Sequence, residues 1–285
     1  MNYQWYPGHM TKAKRMMQEN IKLIDLIIEL VDARIPLSSR NPDIDELGKN
    51  KTRILLLNKA DMADPVYNSQ WIRYFENRGM YVLEVNSRAG TGVKNIQGLV
   101  REACREKIER DKKRGIVNRP VRAMVAGIPN VGKSTFINTF AGKACTKTGN
   151  KPGVTKGKQW IRLNKNLELL DTPGILWPKF EDQEVGRRLA FIGSMNDEIL
   201  LKGELACDLI KVLRQLYPDA LSSRYDIELR GEEPEILKEI ARSRKCYSKG
   251  ESLDMEKASA ILLEDFRSGR LGRITLEQPD EGCED

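Results

Sequence analysis

One eight-residue stretch constrains the fold of this 285-residue chain more than any other: Gly127-Ile128-Pro129-Asn130-Val131-Gly132-Lys133-Ser134. It fits the pattern G-x-x-x-x-G-K-[ST] in full. The apolar run from Val121 to Ala126 predicts a buried strand before it, and Lys133 to Phe140 predicts a helix after it. A glycine-rich turn between strand and helix lets backbone N–H groups point inward, and the helix N-terminus adds partial positive charge, so the turn fits a phosphate chain. In that chemistry Lys133 reaches the β- and γ-phosphates and Ser134 ligates Mg2+, while Thr135 adds a phosphate contact. Asn130, Val131 and Gly132 line the loop. Such a turn belongs to a parallel α/β sheet.

The rest of the chain agrees with that class. Leu26 to Val31, Arg53 to Leu57 and Tyr81 to Val85 are short apolar runs of strand length, and Trp160 to Leu163 and Leu167 to Leu170 read as a hairpin. Thr11 to Leu23, Tyr67 to Asn77 and a long stretch from Val93 to Arg110 read as helices, and Asp111 to Arg119 as a charged linker. Beyond about residue 180 the strand signals nearly stop, and Glu184 to Phe191, Leu200 to Leu216, Pro234 to Lys245 and Met255 to Arg267 read as helices. The expected organisation is an α/β domain over 1–180 and a smaller all-α domain over 181–285.

Charge follows the same division. Residues 1–180 hold 32 Lys+Arg and 17 Asp+Glu, and residues 181–285 hold 16 and 24. Lys143 to Lys165 contains seven basic residues and no acid, a stretch suited to a polyanion such as RNA. No apolar run approaches the ~20 residues a bilayer span needs, so no membrane association is expected. The five cysteines form no C-x-x-C pair and there is one histidine, which argues against a structural zinc site and a disulfide framework. A cytoplasmic protein is expected, because no apolar segment of signal-peptide type opens the chain. A monomer is expected, since nothing in the sequence suggests an obligate dimer.

Three further motifs sit at strand ends. Asp171-Thr172-Pro173-Gly174 follows one apolar run; a strand-end Asp can hold the magnesium through water, and the Gly174 N–H can meet the γ-phosphate. Thr155, in Pro152-Gly153-Val154-Thr155, can bond Mg2+ only while a γ-phosphate is present, as a switch would. Asn58-Lys59-Ala60-Asp61 follows another run. The Asp61 carboxylate can accept from both N1–H and the exocyclic amine of guanine, a donor pair adenine lacks, and the Lys59 stem can pack along the base. Asn86-Ser87-Arg88-Ala89-Gly90 follows a third run, where a backbone N–H could meet guanine O6.

Together these motifs resemble those of the Ras-like, translation-factor-related GTPases, with N-K-A-D and S-R-A ahead of the P-loop instead of behind it. The order is that of a circular permutation, which keeps strands in place and moves the termini to surface loops. Trp5-Tyr6-Pro7-Gly8-His9-Met10 with Lys12-Ala13, then Asp32-Ala33-Arg34-Ile35-Pro36 and Ser39-Arg40-Asn41-Pro42, resemble the bacterial ribosome biogenesis GTPase A family from residue 3 to about 180. The resemblance implies a Ras-like permuted GTPase fold, binding of GTP and GDP, and assembly of the large ribosomal subunit through its rRNA. It implies docking in the GTP state and release on hydrolysis.

The position that carries a water-orienting glutamine in Ras-type proteins is Ile175 here, and a hydrocarbon cannot polarise water. A neutral imidazole can, and the resemblance implies His9 as the catalytic histidine. It also implies a potassium ion at Asn130. The expected catalytic set is His9, Lys133, Thr155 and Gly174, with Ser134, Thr155 and Asp171 on magnesium. Three other readings stand beside it. One is a GTP-binding, RNA-binding scaffold with negligible turnover, which Ile175 favours. Another is a GTPase acting on a different RNA. The third is an ATP-dependent P-loop enzyme, which Asp61 disfavours.

Overall fold

A computed structural model of the chain describes residues 8–116, 119–146, 159–177, 180, 182–196, 200–248 and 251–279. Helix α1 (Gly8–Asn20) leads into β1 (Leu26–Asp32), followed by α2 (Pro42–Leu47), β2 (Thr52–Asn58), α3 (Pro65–Glu76) and β3 (Tyr81–Val85). Then come α4 (Ile96–Ala103), α5 (Arg105–Lys113), β4 (Val121–Gly127), α6 (Lys133–Ala141), β5 (Gln159–Asn164) and β6 (Leu167–Asp171). Five helices complete the order: α7 (Gln183–Phe191), α8 (Lys202–Leu216), α9 (Pro218–Tyr225), α10 (Glu233–Ser243) and α11 (Met255–Arg267).

The strands form one six-stranded sheet in the order β3-β2-β1-β4-β6-β5. Only β5 runs antiparallel, paired with β6 as the expected hairpin. All seven residues of β1 are buried, which is why it reads as a continuous apolar run: a central parallel strand is covered on both faces. Of its two acids, Glu29 is held by Arg53 at 2.6 Å, and Asp32 ends the strand. Strands β1 and β4 lie side by side, and the chain winds outward from them in opposite directions. Ligand sites of open α/β sheets lie at such a reversal, beyond the carboxyl ends of the strands. The P-loop leaves β4 and the N-K-A-D motif leaves β2 at that edge, so the permuted order still brings the motifs to one rim.

The helices begin where the sequence supplies caps. Asn41 accepts from Asp43 N–H ahead of Pro42, and Asp64 from Val66 N–H ahead of Pro65. One expectation is corrected. The predicted helix from Val93 to Arg110 is a 3-10 turn (Val93–Asn95) followed by α4 and α5, separated at Cys104. The apolar stripe runs on to Ile108, but that residue is only half-buried against the core and α5 fully buries no residue, so packing holds α5 less firmly than α4. A short helix, α9, was also not anticipated. Pro218 opens it and Leu221 and Tyr225 bury it.

Helices α8, α10 and α11 turn Leu209, Ile240 and Leu262 inward. Each such side chain contributes about 1.5–3 kcal/mol on burial. The same buried cluster includes Leu26, Val125 and Leu170 of the sheet. After α11 the chain returns to the first half. Ile274 N–H donates to Met62 O at 2.9 Å and Leu276 N–H to Arg34 O at 2.8 Å. The buried Glu277 carboxylate then accepts from the N–H groups of Leu37 and Ser38. Among the described residues no helix is long and apolar enough to cross a membrane.

Candidate nucleotide-binding site

The phosphate loop is shaped by backbone that only certain residues tolerate. Gly132 has φ +103°, and a Cβ there would lie 2.4 Å from Asn58 Nδ2. Asn130 takes a left-handed φ of 58°, a conformation asparagine tolerates better than most residues. Lys133 is buried at 7% exposure, with its ammonium donating to Ile128 O at 2.8 Å. Ser134 and Thr135 follow on the first turn of α6, half-buried.

Asp171 ends β6 opposite Val125 of β4. The next residue anchors it, Thr172 Oγ1 donating to Val125 O at 2.7 Å. Burial raises the Asp171 carboxyl to about 6, opposed by the charge of Lys133. Burial likewise lowers Lys133 to about 8, opposed by Asp171. Asp171 Oδ1 is buried with no hydrogen-bond partner. A buried, unsatisfied carboxylate oxygen beside a buried ammonium is costly unless a ligand completes it. Oxygen donors of this kind fit a hard divalent cation, so the residues present suit Mg2+ and a phosphate chain. Gly174 closes the site: a Cβ on it would lie 2.8 Å from Lys133 Nζ and from the backbone of Pro129. The D-T-P-G turn therefore rests directly on the P-loop.

Asn58 ties the base motif to that loop. Its amide donates to Val131 O at 2.7 Å, and its Oδ1 accepts from Ser87 N–H at 3.1 Å and Ser87 Oγ at 2.7 Å. One side chain thus joins N-K-A-D, S-R-A and the P-loop. Thr139 of α6 adds a bond to Ser87 O at 2.7 Å. Lys59, at φ 59°, donates from Nζ to Asn130 O at 3.0 Å, which lays its stem along the rim. Ala60 and Asp61 continue in a 3-10 turn, and Asp61 is exposed. The burial that would exclude adenine must then come with the bound base. The N–H groups of Arg88 and Ala89 both donate to Asn86 Oδ1, at 3.0 and 2.9 Å. A guanine O6 approaching this turn competes with that side chain.

Ile175 is fully buried, and its carbonyl accepts from Asn41 Nδ2 at 3.0 Å. The next residue, Leu176, donates its N–H to Met10 Sδ at 3.4 Å. Helix α1 therefore packs against the segment that follows D-T-P-G. His9 belongs to α1, but its side chain lies outside the described residues, as do the whole of Thr155 and its P-G-V-T motif. The Asn130 amide donates to Gly193 O at 2.6 Å, and Ser194 Oγ donates to Pro129 O at 2.8 Å. Sequence reasoning missed Gly193 and Ser194, which touch the P-loop from beyond α7 and carry no local motif. It named Asp32, Arg34 and Asn41 as motif members without a role, although their occurrence in D-A-R-I-P and S-R-N-P was a usable signal.

The chain is similar to known proteins. A family described as "50S ribosome-binding GTPase" matches residues 122–220. The chain is 48% identical to ribosome biogenesis GTPase A of Bacillus cereus, over 99% of this chain and 95% of that one. It is 32% identical to mitochondrial ribosome-associated GTPase 1 of Bos taurus, over 96% and 88%. The crystal structure of GNP-bound YlqF from T. maritima superimposes with a TM-score of 0.71 at 26% identity, covering 94% of this chain and 99% of that one. With a complete P-loop, a permuted motif order and nearly full-length identity of this degree, the chain belongs to the ribosome biogenesis GTPase A family and is a GTPase.

Proposed function

We propose that this GTPase assists assembly of the large ribosomal subunit in the cytoplasm, docking on its rRNA in the GTP state and leaving after hydrolysis. The observation that carries the reading is the near full-length identity to ribosome biogenesis GTPase A of Bacillus cereus. The family described as 50S ribosome-binding supports the large-subunit assignment. The Asn58 junction supports a guanine-nucleotide site, since one side chain holds the base turns and the P-loop together.

In this reading Lys133 and the P-loop N–H groups of residues 130–135 bind the phosphates, and Gly174 meets the γ-phosphate. Asn58, Lys59, Ala60, Asp61 and the turn Asn86 to Ala89 bind the base. Ser134, Thr155 and, through water, Asp171 hold magnesium, which when bound neutralises charge building on the transferred phosphoryl group. Potassium is held at Asn130, whose amide N–H donates to Gly193 O. His9 orients the attacking water. The contact of its neighbour Met10 with Leu176 supports this role, because it ties α1 to the residues after Gly174. Buried Ile175 turns away from that task. The basic stretch over 143–165 and the helical part over 181–285 meet the ribosome, and the protein acts as a monomer.

The test is sedimentation of the chain with purified large subunits in a non-hydrolysable GTP analogue or in GDP, with excess GDP or ADP competing for a fluorescent guanine nucleotide. Analogue-dependent co-sedimentation and displacement by GDP alone are expected. Equal sedimentation in both nucleotides would overturn the cycle, and displacement by ADP would overturn the guanine assignment.

A further inference from the structure

The motif Asp32-Ala33-Arg34 lies at the end of β1 and is used by none of the chemistry above. Asp32 and Arg34 are 0% and 1% exposed. Arg34 grips the carboxylate with both prongs of its fork, Nε to Oδ1 and Nη2 to Oδ2, each at 2.8 Å. The same Oδ2 accepts from Lys59 Nζ at 2.8 Å, and that ammonium also donates to Asn130 O in the P-loop. The free end of the Arg34 fork turns the other way. Nη1 donates to Phe266 O at 2.9 Å and Arg267 O at 3.3 Å, the last carbonyls of α11, with the guanidinium 5.0 Å from the Phe266 ring centroid. A cation at a helix C-terminus satisfies carbonyls that have no partner within the helix.

The chain of contacts continues from there. Arg267 Nε and Nη2 donate to Phe191 O and Ala190 O at the end of α7. The residues just beyond, Gly193 and Ser194, return to Asn130 and Pro129. Base motif, helical region and P-loop thus close a ring, and Asp32 is where it meets the nucleotide site.

We propose that Asp32 and Arg34 are positioning residues for nucleotide binding: Asp32 holds the Lys59 ammonium at the P-loop, and Arg34 fixes Asp32 and ties it to the end of α11. A lysine stem is flexible, and a buried carboxylate on one side of its ammonium with a carbonyl on the other leaves it one position. A lysine in place of Arg34 cannot reproduce the two-pronged grip and reach Phe266 O as well. The inference rests on the reading of N-K-A-D as the guanine site.

A double-mutant cycle separates positioning from scaffolding. The release rate of a fluorescent GDP, chased with excess GDP, is measured on the full chain for Lys59→Met, Asp32→Asn, Arg34→Lys and the two doubles that contain Lys59→Met, with circular dichroism on each. Each single change is expected to speed release about tenfold or more, the scale of one lost charge-assisted hydrogen bond. Each double is expected to release no faster than Lys59→Met alone. Doubles whose effects multiply would overturn the proposal, as would release unchanged by Asp32→Asn or Arg34→Lys. If Asp32→Asn fails to fold, the Arg34→Lys cycle decides by itself. If Lys59→Met leaves release unchanged, the reading of the base site fails first, and the proposal falls with it.

Discussion

Replacing Asn58 by alanine tests whether the base turns and the P-loop are one cooperative unit. Asn58 is 2% exposed and its amide makes three hydrogen bonds, to Val131 O, Ser87 N–H and Ser87 Oγ. The alanine variant leaves those three partners in a buried place with nothing to bond. At about 1–1.5 kcal/mol each, the loss amounts to about 3–4.5 kcal/mol, a large share of the roughly 5–15 kcal/mol that holds a folded domain. All three bonds exist before nucleotide arrives, so the loss belongs to the folded chain itself. Urea unfolding followed by circular dichroism should show a lower midpoint, and nucleotide release should speed up in step. Asn58→Asp keeps the acceptor for Ser87 but sets a carboxylate oxygen against Val131 O, so it should be at least as harmful. A stability change below about 1 kcal/mol in Asn58→Ala would refute the reasoning, because it would mean the three partners find water or one another.

Gly132→Ala should displace Asn58, given the 2.4 Å approach of a Cβ to Nδ2, and nucleotide titration should report a loss as large as that of Asn58→Ala. Gly174→Ala pushes against Pro129 backbone at 2.8 Å, so the D-T-P-G turn should leave the P-loop, and single-turnover hydrolysis should fall with little change in GDP affinity. Asp171 gives a pH dependence. Its carboxyl is raised from 3.8 to about 6, so the ligand-free fold favours the protonated form. The stability this gives is full below about pH 4 and is lost as pH rises through about 6, a span of about 3 kcal/mol. Magnesium needs the ionised form, so Mg2+-dependent nucleotide affinity should decline as pH falls below about 6, and Asp171→Asn should abolish that decline in titrations with and without Mg2+. Ser194→Ala removes the bond to Pro129 O, leaving a buried carbonyl unpaired, and should lower the unfolding free energy measured in urea by about 1 kcal/mol.

The strands and the motif order were legible because both are local. A buried parallel strand is a short apolar run, and Leu26, Ile54, Val82, Val125 and Leu169 each sit in one. Phosphate and base turns follow such runs directly, so even a permuted order left the motifs recognisable. What could not be read is what depends on distant partners. Arg34 looks like a surface charge until the end of α11, some 232 residues on, covers it. The return of Leu276 to Arg34 and of Glu277 to Ser38 has no signature in the tail itself. The helix breaks at Cys104 although its pattern runs on, because Ile96 and Val100 are buried in the core while Ile108 of α5 is only half-buried against it. The end of the strand signals near residue 180 suggests a separate helical part, which a truncation there would remove. The tail bonds and the Asn130–Gly193 contact mean that such a cut would remove packing as well as coupling.

Single-turnover GTP hydrolysis, in potassium and in sodium, with and without purified large ribosomal subunits, bears most directly on the assembly role. The account predicts strong stimulation by the subunit, greater in potassium than in sodium, and lost in His9→Ala. Hydrolysis that ignores the subunit in both salts would contradict it, leaving a guanine-nucleotide site whose RNA partner is not the large subunit.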